Sequence, residues 1–241
     1  MKKEKIAKEI IRIAEMLVTA QDFDEEEWKE AGWKDMKEAQ EWYKVGWDDP
    51  KEAYAWYDAG WDDPGDAFDW SDAGWDDAED AYDFYSAGWG DPWIALDWYT
   101  GRWRWYKGSW KDVPEESFRW FDAGWDDSYE ARLWYDEGWE DPEAACDWYS
   151  NGWEDPKEAY EWDKSGWVNP YDALVWYGEG WEDPVEAFNW YNAGWKKPKE
   201  ALAWYKGGWD DAETALQWYN EGWDDPEEAL DRYMKGEPEK R

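Results

Sequence analysis

Apolar and polar positions along this chain recur with a period of 14 residues. Gly-Trp pairs stand at Gly32-Trp33, Gly46-Trp47, Gly60-Trp61, Gly74-Trp75 and Gly88-Trp89, and after a break the same period resumes from Gly124-Trp125 to Gly222-Trp223. A worn last copy ends at Gly236. The unit reads Asp-Pro-x-Glu-Ala-x-x-Trp-Tyr-x-x-Gly-Trp-Asp, and each position has a mechanical reading. In the copy from Asp49 to Trp61, Asp49 is placed to cap a helix by accepting from first-turn amides. Pro50 suits the first helical position, where its fixed φ helps and its missing N–H costs nothing. Glu52, three residues after the cap, completes a capping box at the positive end of the helix dipole. Gly60 ends the helix as a left-handed residue, and Trp61 then meets Trp56 across a Schellman turn. These signals predict a ten-residue helix in each copy.

At 100° per residue, Trp56, Ala53, Tyr57, Pro50 and Tyr54 fall on one arc of about 160°, wider than a simple amphipathic stripe. Lys51, Ala55, Asp58 and Glu52 fill the remainder. A helix apolar over that arc needs neighbours on two sides. The recurrent Ala (Ala53, Ala67, Ala81 and their counterparts to Ala229) is the small residue that admits them. Isolated helices of this length are marginal in water, so the units are expected to stack as a one-dimensional array. The expected fold is all-α: an α-solenoid of about fifteen such helices joined by tight Gly-Trp turns.

Composition strengthens that picture and narrows the function classes. The 241 residues include 30 Trp and 17 Tyr but no His, usage that a repeated core accounts for. The net charge of −37 repels phosphate backbones and anionic lipid heads, so neither nucleic acid nor a membrane surface is an expected partner. Such a charge also keeps an aromatic-rich chain soluble. The acid pairs in the linkers, such as Asp48-Asp49 and Asp224-Asp225, invite a calcium reading. However, the second Asp of each pair is already a cap, and Val168-Asn169 and Lys196-Lys197 lose the pair without losing the period. No metal and no cofactor is therefore expected. Cys146 stands alone at a position that is Tyr, Phe or Leu in most copies, which reads as a core filler and excludes an internal disulfide. With no His, no reactive cysteine context, no phosphate loop and no unique carboxylate pair, the chain is not expected to be an enzyme.

Two departures from the period divide the chain. Residues 1–21 hold Ile6, Ile10, Ile13 and Leu17 at helical spacing without Trp. They suit an amphipathic helix that caps the first repeat, or one that binds another subunit. Charges interrupt this stretch, so it is neither a signal peptide nor a membrane span, and a cytoplasmic or virion-associated setting is expected. The first repeat block covers 22–102, a basic-aromatic insertion 103–111, the second block 112–236 and a tail 237–241. Trp103 keeps the phase of the array and is expected to pack as a turn residue, while Trp105 and Trp110 have no slot in the unit. Arg102, Arg104, Trp105, Lys107, Trp110 and Lys111 form the only dense basic-aromatic stretch of an acidic chain, hence the candidate interaction residues. A loop folded back on acidic neighbours is the alternative reading of the same bases.

The unit Gly-Trp-Asp-Asp-Pro-Glu-Glu-Ala resembles short Gly-aromatic helical repeats of the type Gly-Phe-Ser-Pro-Glu-Glu-Ala, found in bacterial proteins, over about residues 22–236. The leader Lys5-Ile6-Ala7-Lys8-Glu9-Ile10 is similar to N-termini of phage-encoded proteins. That resemblance implies a repeat scaffold without an assigned activity. The functional expectation is a protein-interaction scaffold, with a self-assembling filament or virion protein as the alternative; its partner is another protein or a second copy of itself.

Overall fold

The computed structural model describes residues 23–101 and 110–236, and among these it contains fifteen α-helices and no strand. The capping helix expected over 1–21 and the tail 237–241 lie outside the described residues. Two compact units divide the chain at Asp122 and Ala123. The first holds α1 (Glu25–Ala31), α2 (Met36–Val45), α3 (Pro50–Asp58), α4 (Pro64–Asp72), α5 (Ala78–Ser86), α6 (Pro92–Thr100) and α7 (Pro114–Asp122). The second holds α8 (Ser128–Asp136), α9 (Pro142–Ser150), α10 (Pro156–Lys164), α11 (Pro170–Gly178), α12 (Pro184–Asn192), α13 (Pro198–Lys206), α14 (Ala212–Asn220) and α15 (Pro226–Met234). Within each unit a helix packs on the second helix along the chain, as in α3 on α5 and α11 on α13, which gives the repeating pattern of a solenoid.

Local chemistry sets the helix ends. Asp49 Oδ1 accepts from the amides of Lys51 at 2.8 Å and Glu52 at 3.3 Å. At the other end the amide of Gly60 donates to the Tyr57 carbonyl at 3.1 Å and that of Trp61 to the Trp56 carbonyl at 3.4 Å. That is the Schellman pair of bonds, and it requires the φ of +109° that Gly60 adopts. Most helices have nine residues rather than ten, because the tenth, Ala59 in α3, is the half-helical cap that precedes the glycine.

The core is a ladder of indoles. Most turn Trp lie between the Trp of the helix before and the Trp of the helix after: Trp56 to Trp61 is 5.4 Å between ring centroids and Trp61 to Trp70 is 5.6 Å. Phe84 takes one helix position in the first unit, 5.3 Å from Trp75 and 6.1 Å from Trp89. Rings are offset or tilted, the arrangement that aromatic quadrupoles favour. The ladder rings and the small Ala of most helices are buried, Ala53 and Ala159 completely.

A polar bond sets the two-helix step. The indole N–H of Trp61 donates to the Ala78 carbonyl at 3.2 Å, and that of Trp153 to the Pro170 carbonyl at 2.9 Å, each acceptor 17 residues on at the first position of the helix after next. The carboxylate at the third helical position receives the Tyr hydroxyl of the following helix. Tyr85 donates to Asp66 at 2.9 Å, Tyr191 to Asp172 at 2.8 Å, and Tyr177 to Glu158. The acid expected to close a capping box thus ties adjacent helices together.

Candidate interaction site

The break between α6 and α7 is where the chain departs furthest from its own repeat. Gly101, with φ +59° and ψ +125°, leaves the helix in a different direction from the other turn glycines. Residues 102–109 follow, so Arg102, Arg104, Trp105 and Lys107 lie outside the described residues, as does Trp103. Trp110 is described, and its place corrects the sequence reading that left it without a slot. It is 0 % exposed, 5.5 Å from Trp98 and 6.1 Å from Trp120, so it occupies the rung of a turn Trp. In an intact copy that rung lies five residues after the helix Trp, as with Trp56 and Trp61; here it lies twelve after Trp98. The signal was present in the sequence: Gly108-Ser109-Trp110-Lys111-Asp112-Val113-Pro114 is the consensus Gly-Trp-Asp-Asp-Pro with residues inserted. Counting phase from Gly101 hid it.

Lys111 is turned onto its own chain. Its Nζ lies 2.6 Å from Asp80 Oδ2 and 3.2 Å from the Tyr99 hydroxyl, 5.5 Å above the Tyr99 ring. Tyr99 donates to the same carboxylate at 2.6 Å. The Asp80 contact, followed by that of Tyr99, raises the Lys111 pKa and keeps the ammonium charged. Burial, followed by the Asp80 bond, raises the Tyr99 phenol. Of the candidate interaction residues, therefore, Trp110 is core and Lys111 is the fold-back pair that the alternative reading anticipated.

One substitution carries the indole bond across this break. Ser117 stands where other helices carry the buried Ala, and it is buried too. Its hydroxyl donates to the Pro114 carbonyl at 2.7 Å and accepts from the Trp89 indole at 3.3 Å. The hydroxyl thus relays the bond that a turn Trp otherwise makes directly to the first carbonyl of a helix.

Cys146 and the linker acids lie within the repeat pattern. Cys146, half-buried on α9, faces Gly124 as Leu174 faces Gly152 and Phe188 faces Gly166. Burial, then Asp147 and Asp126, push its thiol up, away from the reactive thiolate. The second Asp of the linker pairs is a cap, and among the described residues no three metal-ligating side chains converge. The acids line open grooves instead. Glu27 and Glu30 of α1 face Asp48 and Asp49 across about 430 Å³; Glu186 and Asn189 of α12 face Asp210, Asp211 and Glu213 across about 450 Å³.

Sequence reasoning missed one surface. Val168 before α11 and Tyr171 on it are 93 % and 60 % exposed, and Val175, one turn on, is 39 % exposed. The linker before α13 carries Lys196 and Lys197, with Lys199 on the helix. Both linkers were noted only as copies that lack the acid pair. Among the described residues no helix is long and apolar enough to cross a membrane. Comparison with protein-family models, curated proteins and solved structures finds no match to this chain.

Proposed function

We propose that this chain is a non-enzymatic protein-interaction scaffold, and the carrying observation is the division of labour within each unit. The two Trp and the Ala of a copy are consumed in the ladder, while the second and sixth helical positions stay on the solvent side and vary freely. The second position alone runs through Lys51, Gly65, Trp93, Tyr171 and Val185. A constant core beneath a variable face is the arrangement by which repeat arrays recognise extended partners. Within this reading Arg102, Arg104, Trp105 and Lys107 form a contact segment whose far end is anchored by Trp110 in the core and Lys111 on Asp80. The repeat unit is consistent with a bacterial or phage origin, and a cytoplasmic or virion-associated setting belongs to the same proposal.

A second reading, a self-assembling structural protein, is favoured by one observation: each compact unit carries a carboxylate-lined groove, and the second also carries a lysine-rich edge. The experiment for the first reading immobilises the full chain and exposes it to native extract. Retention of a defined protein, lost in R104S/W105S/K107S at an unchanged melting temperature, supports it. Retention of nothing by the wild-type chain, together with no self-association, contradicts it.

A further inference from the structure

The edge formed by α11 and α13 breaks local rules that the neighbouring copies keep. Lys197 holds the cap position of α13 and makes no side-chain cap bond, whereas Asp183 and Asp211 cap the helices on either side. Lys196, Lys197 and Lys199 also crowd cations at the positive end of a helix dipole, where carboxylates are favoured. Lys197 lies 3.6 Å from Glu200 and donates to the Tyr219 hydroxyl at 3.2 Å, whereas among the described residues neither Lys196 nor Lys199 has a carboxylate within ion-pair reach, and Lys196 lies 5.9 Å above the Tyr191 ring. A sequence that keeps a good cap on the helices to either side and abandons it here has exchanged local stability for something else.

The neighbouring ridge is unusual in the same sense. On α11 and its linker, Val168, Tyr171 and Val175 replace what on α10 are Glu154, Lys157 and Glu161. Tyr171 and Val175 are four residues apart, on one helix face. In the register of the α12 groove, the corresponding charged and apolar positions on α11, α13 and their linkers are Asp172, Val175, Glu179, Lys196, Lys197 and Lys199. The Asp172 carboxylate already accepts from the Tyr191 hydroxyl at 2.8 Å. Where the α12 groove has Asp210, Asp211 and Glu213, this edge has three lysines, with exposed Val168, Tyr171 and Val175 beside them.

We propose that this edge is a docking surface for a second copy of the chain, which seats one of its carboxylate-lined grooves against the three lysines. This deepens the protein-interaction reading and rests on it. Charge complementarity selects the occupant: 63 acidic residues supply the repeated grooves, and the lysine edge is the feature that matches them. Lysines do not pair with lysines, so the contact is heterologous, and contacts of that type that do not close give open assemblies. At physiological ionic strength repulsion between charges more than about 8 Å apart is screened, while contacting pairs are screened far less.

The repeat itself supplies variants that should fold. K196D/K197D installs the acid pair found in other linkers, and V168D/Y171E/V175D installs the polar residues of other ridges. Sedimentation of the purified full chain over a range of concentrations, at physiological salt, reads assembly; thermal melts read the fold. The wild-type chain should sediment as species that grow with concentration. Both variants should weaken association by at least about tenfold, K196D/K197D with a melting temperature at or above wild type. A wild-type chain that stays a single copy throughout, or variants that assemble as it does, overturns the proposal. If another protein is still retained from extract in that event, the scaffold reading survives and only the docking surface falls.

Discussion

Trp153 does two jobs at once, and they are separable by substitution. Its ring lies between Trp148 at 5.1 Å and Trp162 at 5.7 Å, and its indole N–H reaches the Pro170 carbonyl at 2.9 Å. Trp153→Phe keeps an aromatic rung but removes the donor, leaving a buried carbonyl short of a partner. The expected cost is about 1–3 kcal/mol, read as a lower denaturation midpoint; an unchanged midpoint would mean that packing alone sets the rung. Gly152, just before it, tests the turn. At φ +100° an added Cβ would meet Leu174 Cδ2 at 3.3 Å, so Gly152→Val is strained by conformation and crowded by contact. Its expected cost is about 1–3 kcal/mol. Gly178, the last residue of α11, has open space and no positive φ, so Gly178→Ala should stabilise by about 0.5–1 kcal/mol. Melts in which the two variants behave alike would refute the left-handed turn.

At the scale of the helix, the ends were legible and the partners were not. Asp49, Pro50, Gly60 and Trp61 announce where α3 starts and stops, because caps and turns are chemistry within a few residues. The bond from Trp61 to Ala78, and that from Tyr85 to Asp66, depend on how one helix is laid on another, which a local pattern does not encode. Trp110 was misplaced for a related reason: its slot is defined by Trp98 and Trp120 in space, not by its count from Gly101. The Tyr–carboxylate bonds have a consequence in pH. The bonds to Glu158 and Asp172 raise the phenol pKa values of Tyr177 and Tyr191 above the ordinary value of about 10. The folded state therefore holds these protons more tightly than the unfolded chain. Their stabilisation is complete below about pH 10 and is lost as pH rises through the raised folded values. The double variant Tyr177→Phe/Tyr191→Phe should show a shallower fall in melting temperature above about pH 10 than the wild-type chain. Parallel curves would contradict the linkage.

Over the whole molecule the sequence announced one repeated core and left its use open. The period, the Trp pair and the small Ala specify how a unit meets its neighbours, and the structure carries that pattern through both compact units. The solvent face is less readable, because a residue there answers to a partner and not to the fold. Lys197 illustrates the difference: it is a poor cap by every local rule, and only its surroundings in the structure suggest a purpose. The central claim is that each 14-residue unit is equivalent and interchangeable in the stack. The most direct test is an in-register deletion of residues 156–169, compared with a deletion of 156–162, half as long. Removing the whole unit should leave a cooperative melt, a helical far-UV spectrum and blue-shifted tryptophan emission, because Trp148 and Trp153 simply meet the next copy. Removing half should unravel the ladder on both sides and red-shift the emission. Equal behaviour of the two deletions would contradict the account.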